Sequence, residues 1–187
     1  MHTYNKLYFP IKTLLLMILV LLATRSFSQS AGGDARSQKT PEADIFAIRI
    51  AYQQINSDKL TKKQFTYQSS GCVDGGVVNY YFKNNDIVKI TESGAIGDGS
   101  WVNEYYYYKS KFFFGLETIV GGPAIGKVTK TQYRYYIRDG RPTRLMEGSK
   151  IIPVDSRATE MLVTTGRIYK AYTTKEFCVG NMQLMYK

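Results

Sequence analysis

Three stretches built on one pattern constrain this chain more than any other feature. "YYFKNNDIVKI" (80–90), "YYYKSKFFFGL" (106–116) and "YYIRDGRPTRL" (135–145) each open on two tyrosines and a third apolar or aromatic residue. Lys83, Lys109 or Arg138 comes next, then a polar turn, and the unit closes on Ile90, Leu116 or Leu145. A β-prone run, a tight turn and a second β-prone run make a hairpin. Asp139-Gly140 is the strongest turn signal, because both residues tolerate positive φ. Asn84-Asn85 is weaker and Ser110-Lys111 weaker again. Three hairpins in series predict an antiparallel meander of about six strands.

Strand alternation sorts the aromatic residues into two faces. Tyr80, Phe82, Tyr106, Tyr108, Tyr135 and Ile137 share one parity within the aligned units. Tyr81, Tyr107 and Tyr136 share the other, together with Lys83, Lys109, Arg134 and Arg138. The second set reads as an exposed basic-aromatic binding face. Its rings can stack on sugars and its cations can hold anionic groups. The competing reading is structural, since cross-strand tyrosine pairs stabilise a sheet by ~0.2–1 kcal/mol each without any ligand.

Helical patterns flank the strands. Thr40-Pro41 is a helix start, with Thr at the N-cap and Pro at the first helical position. Ile45, Ile48, Tyr52 and Ile55 then recur at helical steps through Ser57. After Pro153, Asp155 or Ser156 can cap a second helix, whose apolar face carries Met161, Leu162, Thr165, Ile168, Tyr169 and Tyr172. Gly166 and the β-branched Val163-Thr164-Thr165 keep a strand reading of 156–175 open. The expected fold is a single α+β domain over 40–187, with the helix of Ile45, Ile48, Tyr52 and Ile55 packed on the Tyr80 face and the second helix also on the sheet.

The first 28 residues read as an address. Lys6 and Lys12 precede an unbroken apolar run, Leu14 to Ala23, that is too short for a bilayer needing about 20 apolar residues. It suits the core of a secretory signal peptide, with small residues at Ser26 and Ser28 before Gln29. A retained N-terminal anchor is the alternative. Residues 29–39, rich in Ser, Gly, Ala and Gln, read as a flexible tail. Cleavage would remove Lys6, Lys12 and Arg25 from a total of +10, leaving +7 and a preference for anionic partners. Export to the periplasm or the medium directs that preference to an anionic glycan or an envelope protein rather than nucleic acid. It also places Cys72 and Cys178 in an oxidising compartment, where an even count suggests one disulfide; two buried thiols are the alternative.

The remaining motifs argue mainly against chemistry. "GGPAIGKV" (121–128) copies the start of a phosphate-binding loop. Val128 stands where a metal-holding hydroxyl is needed, and the following "KVTKTQYRYY" alternates like a strand, so no nucleotide is expected. "GAIGDGS" (94–100) reads as a flexible loop joining strands. The chain's single histidine, His2, leaves with the signal segment. No imidazole base, Ser-His-Asp arrangement or histidine metal ligand then remains, and no cofactor or metal is implied. Glu92, Glu104 and Glu117 are the surviving route to catalysis, as a carboxylate pair hydrolysing anionic glycans.

The Tyr-Tyr-x-Lys/Arg-turn units resemble those of small exported bacterial proteins of unknown function, in which a signal peptide and a helix precede a meander. The likeness covers roughly residues 41 to 147 and brings no catalytic residues with it. The reading of the residues leaves two classes open: an exported, non-catalytic binding or inhibitory module of the cell envelope and, as the alternative, a carboxylate-dependent hydrolase acting on anionic glycans. The leader reading is checked by N-terminal sequencing of the exported protein. The expected first residue is Gln29; stable membrane-integrated protein that begins at Met1 would contradict it.

Overall fold

The computed structural model describes residues 41–69, 73–122 and 126–178, all within a unit running from Lys39 to Lys187. The expected signal segment and tail lie outside the described residues. Helix α1 spans Pro41–Ser57, and eight strands follow: β1 Thr61–Ser69, β2 Val73–Lys83, β3 Asp86–Ile96, β4 Gly99–Tyr108, β5 Lys111–Gly121, β6 Thr129–Arg138, β7 Arg141–Glu147 and β8 Lys150–Ile152. Helix α2, Ser156–Thr174, closes the order. The strands form one antiparallel sheet in sequence order, β1 to β8. The fold is therefore α+β as expected, but the meander has eight strands rather than about six. The two additions are its edges, β1 and β8.

The three hairpins are repeats of one local design. Their turns are Asn84-Asn85, Lys109-Ser110 and Asp139-Gly140, with φ of 50° and 69°, 48° and 61°, and 50° and 74°. Positive φ at both central residues is the turn whose twist matches that of the flanking strands. Each returning strand then carries a register shift at the same place. One residue of that strand, Val88, Phe113 or Thr143, has no partner opposite it. The β3–β4 connection is also a two-residue turn, Gly97-Asp98, so the stretch expected to be a flexible loop is mostly strand.

This register corrects the alignment of the middle hairpin. The unit starts at Tyr105, not Tyr106, so Tyr105 aligns with Tyr80 and Tyr135. A one-residue slip exchanges every side chain between faces. Tyr80, Ile90, Tyr105, Gly115, Tyr135 and Leu145 are cross-strand partners in one row. Tyr106, Phe114 and Tyr136 share the opposite face.

Both faces are covered. Helix α1 lays Ile45, Ile48, Tyr52 and Ile55 over Tyr106, Phe114, Tyr136 and Met146. The Tyr52 ring meets Tyr106 edge-on at 4.9 Å and Phe114 at 5.1 Å. Its start is held by ion pairs, Glu42 to Arg144 and Asp44 to Arg138. Helix α2 covers the other face, with Ala158, Met161, Ile168 and Ala171 against Tyr80, Tyr105, Tyr107, Tyr135 and Leu145. Asp155 caps it by accepting from the Arg157 amide, which settles 156–174 as helix. Two sheet hydroxyls donate to helix carbonyls, Tyr80 to Ile168 at 2.7 Å and Tyr107 to Thr165 at 3.1 Å. The expectation that the helix with Ile45, Ile48, Tyr52 and Ile55 covers the Tyr80 face is thus corrected: that helix, α1, lies on the Tyr106–Tyr136 face, and α2 covers Tyr80.

Replacing Asn85 by Gly completes the favoured Asn-Gly turn and is expected to stabilise the fold by about 0.5–1 kcal/mol. Gly140→Val is expected to cost about 1–2 kcal/mol, because a β-branched residue is forced to positive φ. Urea midpoints of the two variants check the hairpin design; equal midpoints would contradict it.

Candidate functional site

The seven residues of the expected basic-aromatic face do not share a face. Tyr107 is 2% exposed beneath α2, and Tyr136 is 2% exposed beneath α1, on the opposite side of the sheet. Tyr81 is half-buried, with the Lys89 ammonium 5.7 Å from its ring centre. Lys83 ends β2 and pairs with Asp58 at 2.6 Å. Lys109 is a turn residue, its ammonium 5.6 Å from the Tyr108 ring. Arg138 is held by Asp44 and Asp139. Arg134 lies half-buried beside Gln132, 3.4 Å away. Two of the three tyrosines, Tyr107 and Tyr136, are core, and two of the four cations, Lys83 and Arg138, are spent on acids of the same chain.

The three expected carboxylates also separate. Glu104 faces α1, where Lys89 pairs with it at 2.6 Å and Tyr106 donates to it at 2.6 Å. Glu92 and Glu117 face α2, with Asn103 between them on the intervening strand. Two strand spacings put their backbones about 10 Å apart. Glu92 is 3% exposed and accepts from Tyr67 at 3.0 Å and Tyr105 at 2.9 Å. Glu117 accepts from Tyr135 at 2.5 Å, and the Arg157 guanidinium stands 3.6 Å away over the Tyr133 ring. Asn103 Oδ1 is buried without a hydrogen-bond partner. Among the described residues no three His, Cys, Asp or Glu side chains meet as a metal site.

Next along this face, two strand glycines admit flat aromatic rings. A Cβ on Gly76 would meet the Tyr67 ring at 2.4 Å, and one on Gly94 would meet Trp101 at 2.4 Å. Larger residues at either position would lift those rings off the sheet. Tyr67 in turn stacks at 5.4 Å on Phe177, which brings the chain just before Cys178 to the β1–β2 edge. Cys72 lies outside the described residues.

An open groove forms at the other side of the sheet, where β6 outruns its neighbour. The β6–β7 pairing starts at Tyr133 and Glu147, so Thr129–Gln132 extends past the end of β7. The β7–β8 turn bends under this overhang, and the Gly148 amide donates to the Gln132 carbonyl at 2.8 Å. Lys130, Thr131, Gln132, Glu147, Ser149 and Lys150 line the groove. The ion pairs of the described residues do not use Lys130 or Lys150. Sequence reading passed over this place, although "KVTKTQYRYYIR" against "RPTRLME" already shows one strand longer than the other.

The "GKV" that copies a phosphate-binding loop is followed by strand β6, not by a helix, so its amides form no phosphate cradle. No helix among the described residues is long and apolar enough to cross a membrane. No protein family, curated protein or solved structure that the chain was compared with matches it.

Burial sets the titration of the aromatic core. It pushes the Tyr67, Tyr80, Tyr105, Tyr106, Tyr107 and Tyr135 phenols well above their ordinary value of 10.0. The neighbouring charges of Glu92, Glu104 and Glu117 push in the same direction. The folded chain therefore keeps protons that the unfolded chain gives up above about pH 10. The stability is intact below that pH and falls as pH rises through it. Tyrosinate absorbance should show these six phenols ionising together, as far-UV circular dichroism is lost. A smooth titration of all tyrosines near pH 10 in folded protein would contradict the burial.

Proposed function

We propose that this chain is an exported, non-catalytic binding module of the cell envelope, and that its anionic partner occupies the groove between the β6 overhang and the β7–β8 turn. The observation that carries this reading is the pair of lysines, Lys130 and Lys150, at one open groove lined with hydroxyl and amide groups and a single carboxylate, Glu147. Neither lysine forms an ion pair among the described residues. Of the other sheet cations, Lys83, Lys89, Arg138 and Arg144 are matched by Asp58, Glu104, Asp44 and Glu42. Lys62, Lys111 and Arg141 also form no ion pair among the described residues, but they do not line this groove. A partner acid would gain most where the protein has not already supplied one.

The hydrolase alternative finds less support. Glu92, Glu104 and Glu117 each accept from at least one tyrosine hydroxyl, and Glu104 faces away from the other two. A working carboxylate pair needs a shared cleft with room for a water or a sugar ring. Export itself rests on the leader reading, and the Cys72–Cys178 bridge on that compartment. The stacking of Phe177 on Tyr67 is consistent with the bridge, since it holds the chain before Cys178 near the strand pair that flanks Cys72.

Binding to polygalacturonate and to isolated envelope distinguishes these readings. The protein is expected to bind without turnover, and Lys130→Glu with Lys150→Glu should weaken binding at least about ten-fold, more so at low salt. Turnover that is lost in Glu92→Gln or Glu117→Gln would favour the hydrolase. Binding unaffected by the lysine changes would place the partner elsewhere.

A further inference from the structure

The groove lies along a strand edge, and that edge is specific about what it can hold. Within a strand, the amide and carbonyl of one residue point to the same side, and the side alternates from residue to residue. The Gln132 carbonyl points toward β7, since it accepts from Gly148. The Lys130 amide and carbonyl, two residues earlier, point the same way, into the space beyond the end of β7. On its other side β6 is fully paired through this stretch, Thr129 with Gly121 to Gln132 with Thr118. The backbone is thus held extended by β5 while presenting to the groove a donor and an acceptor that no other described residue uses. Val128, 66% exposed, stands just before it.

The cations are arranged to match. Lys130 is the cross-strand partner of Val120, on the α1 side of the sheet. Lys150 opposes Glu147, which opposes Tyr133, on the α2 side. One ammonium therefore flanks the edge on each face. Glu147 offsets part of this charge, and Lys127, also exposed, lies beside Val128. Neighbouring side chains of an extended peptide point to opposite faces, so consecutive acidic residues would meet a lysine on either side.

We infer that the groove takes an extended acidic peptide segment, which adds as a short strand to the free edge of β6 in line with β7. This rests on the binding reading above and narrows its partner to a polypeptide. Backbone hydrogen bonds would supply the docking and the two lysines the preference for acid. A glycan could satisfy the lysines but has no regular amide ladder to offer Lys130.

Three probes with equal numbers of carboxylate side groups separate the readings: hexa-L-glutamate, the same peptide N-methylated at alternate residues, and hexagalacturonate. Titration by fluorescence anisotropy is expected to show saturable binding of hexaglutamate. Alternate N-methylation should weaken it at least about ten-fold, and so should Lys130→Glu, checked for an unchanged melting temperature. Hexagalacturonate should bind no better than the methylated peptide. Equal binding of methylated and plain peptide, or tighter binding of the galacturonate, would overturn strand addition and leave the anion-binding reading standing. No binding of any of the three would overturn both.

Discussion

The rest of this molecule depends on a band of aromatic side chains that is buried on both sides of one sheet. Near the three matched turns the strands read Tyr80-Tyr81-Phe82, Tyr105-Tyr106-Tyr107 and Tyr135-Tyr136-Ile137. A strand with one wet face alternates polar and apolar residues, whereas a strand covered on both faces does not. The consecutive aromatics follow from the two helices, which cross this band on opposite faces. Tyrosine serves where phenylalanine would not, because its hydroxyl can reach a buried acceptor. The Thr165 and Ile168 carbonyls of α2, Glu92 and Glu117 take those hydroxyls. Burying any of these hydroxyls without a partner would cost about 1–3 kcal/mol.

The far half of the sheet obeys different rules. Beyond the helices the α1 side carries Val77, Ser93, Val102 and Thr118 in one cross-strand row. The α2 side carries Trp101 and Tyr67 laid flat on glycines. Here the strands also differ in length, and the mismatch between β6 and β7 opens the groove. The proposed site is therefore a product of the strand ends, while the aromatic repeat supplies the scaffold that holds β6 straight.

Much of this was legible in the sequence, and the part that was not has a physical cause. The helix from Pro41 to Ser57 follows from its apolar spacing, and the hairpins at 80–90 and 135–145 from their turn residues. The middle hairpin slipped because Tyr105 to Tyr108 is a run of four identical residues, which carries no phase of its own. Its turn, Lys109-Ser110, lacks the Asn, Asp or Gly that marks the others, so nothing local pinned the register. From that slip came the basic-aromatic face joining Tyr107 to Tyr136. The edge strand β1 was missed because only Phe65 and Tyr67 mark its buried side among polar neighbours. Strand β8 is only three residues long and carries no period to read.

A sheet covered on both faces leaves one of the four consecutive tyrosines in water and shields the other three. Tyr108 is 66% exposed, whereas Tyr105, Tyr106 and Tyr107 are buried, as is Tyr136. Mild nitration of the folded protein with tetranitromethane, followed by mass spectrometry of its peptides, reads this directly. Tyr108 should be modified while Tyr105, Tyr106, Tyr107 and Tyr136 stay protected until the protein is unfolded. Nitration of Tyr107 and Tyr136 at the rate of Tyr108 in folded protein would contradict the doubly covered sheet and restore the exposed tyrosine face.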